Sequence, residues 1–203
     1  MVKDTLLDKI NSTDFEQLFK KLDYSFFTKG CYNLNIIGVR RANKKVLNTF
    51  DDYLVVLYKT PQREWSRFIF PITTEPGLYY MKNPANKAGT AILVPRQYKQ
   101  CWSIGKHKGK YEALVQIAPV SVYRDGNKNT VYDCDSEKTD TGIFGINIHK
   151  AGESSKLVDK WSAGCQVFRV SNDFRAFMRL CHKQVESGYG NKFTYTLLDE
   201  KQL

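Results

Sequence analysis

Three apolar runs follow one another in the stretch "NLNIIGVRRANKKVLNTFDDYLVVLYKTPQREWSRFIFPI" (33–72). They cover residues 33–40, 53–59 and 66–72, and each is rich in the β-branched and aromatic residues that favour strands. Polar and turn-forming residues separate the runs, which is typical of a chain that reverses direction between short strands. This stretch therefore predicts a fold built mostly from β-strands.

The rest of the chain extends this pattern and adds two helical segments. Apolar residues recur at helical spacing over 4–21, with a break near Asn11-Ser12 and a capping box at Thr13 and Glu16. A second helix begins near Ser171. Five further runs predict strands: 90–95, 113–124, 144–149, 165–170 and 192–198. We expect a mostly β, α+β architecture with an N-terminal helix and one late helix.

Composition bounds the class of protein. The 203 residues are 42% hydrophobic and 26% charged, which suits a globular chain with a sizeable core. No apolar run is long enough to cross a bilayer, and the N-terminus lacks the apolar region of a signal peptide. We therefore expect a protein made in the cytoplasm without a signal peptide. The five cysteines are an odd number without regular spacing, and no CxxC pair occurs, so neither a disulfide framework nor a structural zinc site is indicated.

The chain carries a net charge of +10. A charge of this sign attracts polyanions such as nucleic acid, anionic wall polymers or acidic lipid head groups, although lysines also simply solvate a surface. Basic residues cluster at 40–45 and 105–110, and we expect His107, in the second cluster, to be solvated. No aromatic residues interleave with these clusters and no nucleic-acid motif accompanies them, so a nucleic-acid partner is not favoured.

Two segments carry the residues of a candidate active site, "GIFGINIHKAG" (142–152) and "DKWSAGCQVF" (159–168). Strand alternation puts Phe144, Ile146 and Ile148 on one face, and Asn147 with His149 on the other. The second segment has a turn of three small residues before Cys165, which leaves backbone N–H groups free to point outward. If the two strands are neighbours, the thiol and the imidazole meet.

A cysteine beside a histidine suggests nucleophilic catalysis. An imidazolium lowers the pKa of a nearby thiol, so we expect the Cys165–His149 pair to hold a thiolate at neutral pH. The thiolate attacks a carbonyl, the histidine protonates the leaving amine, and turn amides hold the oxyanion. The competing interpretation is an ordinary buried thiol, since free cysteine is among the most buried residue types.

These segments resemble the signature of the YkuD-type L,D-transpeptidase catalytic domain, in a divergent form similar to phage-encoded proteins. The resemblance lies in "IHKAG" and "SAGC", where His149, Ser162, Gly164 and Cys165 match the motif by position. It implies a β-sandwich or barrel, with residues 31–203 as the catalytic domain and 1–30 as a helical appendage. It also implies that Cys165 is the nucleophile, His149 the base and the Lys150 backbone carbonyl its orienting group.

The same resemblance implies oxyanion N–H groups at Gly164 and Cys165, with Ser162 nearby, and a peptidoglycan stem peptide as substrate. The acyl group would pass to an amine or to water without metal or cofactor. Asn147, Trp161 and Arg169 are candidates for substrate binding. Two departures stand out: Ala163 replaces the family's histidine before Gly-Cys, and Val167 stands where arginine is common.

Alternative functions remain open from the sequence. A catalytically degenerate module that binds peptidoglycan, or a structural part of a phage particle, would keep the cleft without turnover. An enzyme of this kind would reach the cell wall in a phage virion or by release at lysis. The oligomeric state is not indicated by any pattern in the chain.

Overall fold

The computed structural model of the chain describes residues 4–42, 47–134 and 139–203, so part of the basic cluster at 40–45 lies outside the described residues. In these ranges the α-helices are α1 (Thr5–Ser12), α2 (Phe15–Lys21), α3 (Leu78–Lys82) and α4 (Ser171–Gln184). The strands are β1 (Asn35–Arg40), β2 (Asp52–Lys59), β3 (Trp65–Thr73), β4 (Thr90–Leu93), β5 (Gln97–His107), β6 (Tyr111–Gln116), β7 (Val120–Asp125), β8 (Thr139–Gly142), β9 (Ile148–Lys150), β10 (Gln166–Phe168) and β11 (Phe193–Asp199).

Eight strands form a closed barrel in the order β1-β11-β5-β6-β9-β10-β3-β2, and β4-β7-β8 form a separate sheet. Closure pairs every barrel strand on both sides, which removes the exposed edges of an open sheet. The pairs β1–β11 and β9–β10 are parallel, and the other barrel neighbours are antiparallel. The prediction of a mostly β, α+β fold with a late helix is confirmed.

The late helix α4 packs on the barrel core through one apolar face. Phe174, Phe177, Met178 and Cys181 are buried there, at the i, i+3, i+4 and i+7 positions of a single stripe. They join the aromatic core of the barrel, whose largest fully buried side chains include Trp102, Tyr195, Phe168 and Phe193. This core fixes the inner face of β9 and β10.

The N-terminal segment forms two helices, and they cover the outer face of the barrel. Asp14, rather than the predicted Thr13, caps α2, because its carboxylate accepts hydrogen bonds from the N–H groups of Glu16 and Gln17. The helices bury four apolar side chains against β1, β2 and β11: Leu6, Ile10, Phe15 and Phe19. A division into 1–30 and 31–203 stays a prediction.

Two strand predictions need correction, and two further strands had not been predicted. The predicted strand 113–124 is two strands, because Pro119, which lacks an N–H, lies between β6 in the barrel and β7 in the small sheet. Residues 144–147 lie outside any strand, so only the end of the predicted strand 144–149 is regular. No sequence pattern had predicted β5 or β8.

No helix in the described ranges is long and apolar enough to span a membrane.

Candidate active site

The candidate base lies on β9, and the candidate nucleophile immediately precedes the neighbouring parallel strand β10. In the β9–β10 register His149 is opposite Val167. Ile148 and Phe168 point into the barrel core, whereas Cys165 and Val167 belong to a separate cluster on the outer face. Because side chains alternate along a strand, His149 and Cys165 both face outward. The parallel register therefore brings the two predicted residues to one side of the barrel wall.

The Lys150 carbonyl fixes the tautomer of His149. The Nδ1 atom of the imidazole lies 2.8 Å from the Lys150 oxygen, which can only accept a hydrogen bond, so Nδ1 carries the proton. The Tyr111 hydroxyl also donates to this oxygen, at 3.3 Å. The Lys150 ammonium is held elsewhere, 3.2 Å from the Ser171 hydroxyl. Nε2 is thus the unprotonated, basic nitrogen of His149.

Two backbone groups contact the Cys165 sulfur. The Asn147 N–H donates to Sγ at 3.4 Å, and the thiol donates to the Gly145 carbonyl at 3.4 Å. Apolar side chains pack around the rest of the residue, among them Phe50 and Val158. Only 9% of the Cys165 surface is exposed. The thiol is held in place by the segment that leads into β9.

Burial keeps both groups neutral at rest. Burial raises the pKa of the Cys165 thiol, against the opposing effects of the Asn147 N–H and the Lys108 charge. Burial, together with the neighbouring His107 ring, lowers the pKa of His149 to about 3. The expected thiolate–imidazolium pair at neutral pH is therefore wrong for the resting protein, which holds a thiol beside a neutral imidazole.

The turn before Cys165 depends on Gly164. Its φ is +122°, a conformation that favours glycine, and a Cβ there would lie 2.3 Å from the Ala91 carbonyl oxygen. The Gly164 N–H donates to the Ser162 hydroxyl at 3.1 Å, and that hydroxyl donates to the Cys165 carbonyl at 2.8 Å. Ser162 is fully buried, and its hydroxyl stabilises the turn through these two hydrogen bonds.

The structure of this turn determines which backbone N–H group can donate a hydrogen bond to an oxyanion. The expected donor at Gly164 is already engaged by Ser162. The Cys165 N–H has no hydrogen-bond partner among the residues that the structure describes. Of the two expected backbone donors, Cys165 is the one whose amide is available.

A second histidine, which the sequence analysis missed, lies against the first. The ring of His107 stacks on that of His149, with centroids 4.1 Å apart and planes 23° apart. The expectation that His107 is solvated is wrong, because it ends β5 and is buried opposite Tyr111 in the β5–β6 hairpin. The hairpin register, set by the turn at Lys108-Gly109, was the available signal.

The three predicted substrate-binding residues lie in different surroundings. Asn147 uses its side-chain amide inside the protein, accepting from the Gln116 N–H at 3.0 Å and bonding His107 at 3.0 Å. Trp161 is 46% exposed and lines a groove of about 520 Å³ with Tyr79. Arg169 is exposed and follows directly after β10.

Asn48 holds the connection between β9 and β10 in place. Its Oδ1 atom accepts from the N–H groups of Leu78 at 3.0 Å and Asp159 at 2.6 Å, and its Nδ2 donates to the Asp159 carboxylate at 2.7 Å. These bonds fix the short 3₁₀ helix Asp159–Trp161 that leads into the turn before Cys165. No sequence motif marks Asn48, so sequence reasoning had no means to find it.

In the described part of the chain, no three His, Cys, Asp or Glu side chains are grouped so that they could hold a metal ion. Comparison with known proteins adds no relative. No family model, no curated protein and no solved structure matches the chain. The candidate site therefore has to be interpreted from its own geometry and chemistry.

Proposed function

We propose that this protein is a cysteine-dependent acyl-transfer enzyme acting on peptidoglycan stem peptides, as an L,D-transpeptidase or a related peptidase. Cys165 is the nucleophile and His149 the general base. The observation that carries the proposal is the hydrogen bond from His149 Nδ1 to the Lys150 carbonyl, at 2.8 Å. It leaves Nε2 unprotonated on the same face as the thiol.

The substrate class is proposed from the resemblance of "IHKAG" and "SAGC" to the YkuD-type signature. A positively charged chain also suits a wall polymer whose peptides carry carboxylates, since opposite charges steer association. To reach the cell wall, the enzyme would be carried in a phage particle or released at lysis.

A neutral thiol and a neutral imidazole imply general-base catalysis in place of a preformed ion pair. His149 Nε2 takes the proton of Cys165 while the sulfur bonds to the substrate carbonyl carbon, and the carbonyl electrons move onto oxygen near the Cys165 N–H. The C–N bond then breaks, the imidazolium protonates the leaving amine, and a thioester remains. An acceptor amine or water then attacks the thioester carbon and gives its proton to His149. The C–S bond breaks, the new amide or carboxylic acid leaves, and the imidazolium returns the proton to the sulfur.

The test is mass spectrometry of purified muropeptides incubated with wild type and with Cys165→Ser. We expect wild type to cleave the stem peptide after its third residue and Cys165→Ser to be inactive. Cys134→Ser is the matched control, because Cys134 is an exposed cysteine. A product in which a new amine is joined to the shortened stem peptide identifies an amine acceptor. A shortened stem peptide with a free carboxylate identifies water as the acceptor.

A second candidate function is a module that binds peptidoglycan without cutting it. The burial of the thiol and the engaged Gly164 amide favour it. In that case wild type and Cys165→Ser would bind the wall polymer equally well, and neither would form a product. Full turnover by Cys165→Ser would contradict the role of Cys165 in the first proposal.

A further inference from the structure

A chain of hydrogen bonds fixes the protonation of His107. The Gln116 N–H can only donate, so the Asn147 atom that it contacts is the acceptor oxygen, Oδ1. The other amide atom, Nδ2, is then a donor, and it lies 3.0 Å from Nδ1 of His107. Nδ1 of His107 must therefore be an unprotonated acceptor, and the proton of this neutral ring is on Nε2.

The two stacked histidines are thus opposite tautomers. His149 carries its proton on Nδ1 because it faces a carbonyl, and His107 carries its proton on Nε2 because it faces an amide donor. Asn147 links the second ring to the nucleophile, since its backbone N–H points at the Cys165 sulfur. The ring contact and the amide together connect His107 to both reacting groups.

We propose that His107 is a positioning residue of the Cys165–His149 centre. It supports the ring of His149 by stacking and, through its Nδ1 acceptor, holds the Asn147 segment whose amide contacts the thiol. This inference rests on the proposed function for its effect on turnover. Its effects on tautomer and thiol reactivity are measurable without a substrate.

Protonation of His107 would break this arrangement, because two donors would then face each other at Asn147 Nδ2. Burial lowers the pKa of His107, and the Lys108 charge lowers it further, so the ring stays neutral in the working range. The ionisable groups around it are Lys108 on its own hairpin, Tyr111 on β6 and His149 on β9. The Lys108 charge also acts on Cys165, which directly precedes β10.

The chain contains three histidines, so a long-range ¹H–¹⁵N spectrum of histidine-labelled protein contains three imidazole systems. We expect one ring fixed with Nε2–H and one fixed with Nδ1–H, assigned by His107→Phe and His149→Gln. His182 is half-buried on α4 and serves as the reference ring. The opposite tautomer at His107 would overturn the inference.

Two variants separate the two contacts of His107. His107→Phe keeps an aromatic ring for stacking but removes the acceptor, whereas His107→Asn can place an oxygen near the position of Nδ1. We expect His107→Phe to slow alkylation of Cys165 about threefold or more at pH 8. Without the Nδ1 acceptor the Asn147 segment is no longer held, and its N–H no longer stabilises the thiolate. We expect His107→Asn to retain most of the wild-type alkylation rate. His182→Phe, the matched control, should leave that rate unchanged.

Turnover provides the second readout. We expect His107→Phe to lower kcat about tenfold to a hundredfold with little change in KM, since small displacements of reacting groups cost rates of this size. If wild type shows no turnover but the tautomers and alkylation rates follow expectation, the proposed function fails and the positioning role stands. If His107→Phe labels at the wild-type rate with the His149 tautomer unchanged, the positioning role fails, whatever the turnover.

Discussion

The molecule contains two cysteine–histidine pairs, and they differ in how the imidazole and the surrounding polar groups are placed relative to the thiol. Cys165 and His149 are separated in sequence, but His149 lies on β9 and Cys165 directly precedes the adjacent strand β10, with their side chains on one face. Cys181 and His182 are consecutive in α4, where neighbouring side chains diverge by about 100°. Cys181 is fully buried in the core, whereas His182 is half-buried and contacts Glu112.

The difference shows that sheet register, and not closeness in sequence, creates a reactive pair. Both thiols are buried, and burial raises the pKa of each. Only the first has a backbone N–H pointing at its sulfur from a neighbouring segment and an oriented imidazole on the same face. The polar groups around a buried cysteine therefore distinguish a candidate nucleophile from a core residue.

The largest expected contrast is in thiol reactivity. In the folded protein Cys165 should react with iodoacetamide about 100-fold faster than Cys181, because labelling of Cys181 requires the core to open. The Cys165 rate should be slow at neutral pH and rise on the alkaline side, since burial raises the pKa of its thiol. Peptide mass spectrometry measures both rates, and equal labelling in the native state would remove the distinction between the two regions.

The second contrast is in the pH dependence of stability. The unfolded chain protonates His149 below about pH 6.5, whereas the folded protein holds its pKa at about 3. Folding therefore excludes a proton in this window, and the free energy of unfolding should fall as the pH falls, by about 2 kcal/mol between pH 6.5 and 4.5.

Urea unfolding curves across this range measure that loss. His149→Gln should flatten the slope, and His182→Gln, the matched control at a half-buried position on α4, should retain the slope of wild type. A slope unchanged in His149→Gln would mean that the buried imidazole does not exclude the proton.

The smallest contrast is in the cost of replacing each sulfur with oxygen. Cys181→Ser places a hydroxyl in an apolar core and should cost about 1–2 kcal/mol of unfolding free energy. Cys165→Ser should cost less than about 0.5 kcal/mol, because the Gly145 carbonyl and the Asn147 N–H remain as partners. Thermal or urea unfolding of the two variants measures the difference, and similar costs would show that the polar groups around Cys165 do not satisfy a hydroxyl.

Much of the barrel was predictable because its strands are apolar runs. The segments that became β1, β2 and β11 bury most of their residues, the second half of β3 buries Phe70, Ile72 and Thr73, and turn signals bound all four. The strand β5 escaped prediction because "QYKQCWSIGKH" mixes charged, polar and aromatic residues without a β-branched run. Its burial comes from closure of the barrel, which no local pattern records.

The candidate site was predictable only in part. A motif could indicate Cys165, His149 and the Lys150 carbonyl, because they lie within two short segments. His107 and Asn48 reach the site from other parts of the chain, through a hairpin and a loop. The neutral state of the thiol and imidazole was also out of reach, since it follows from burial that only the three-dimensional packing determines.

The contact between Gly164 and Ala91 ties the nucleophile to the smaller sheet. The Ala91 carbonyl oxygen occupies the space that a side chain at position 164 would need, so the two backbones are in close contact. The backbone of β4 therefore limits how far the turn before Cys165 can move. An alteration in β4, or in the loop before it, would thus be transmitted to the sulfur without touching any residue of the site. Attempts to engineer new specificity can use the small sheet as a remote adjustment of the thiol's position.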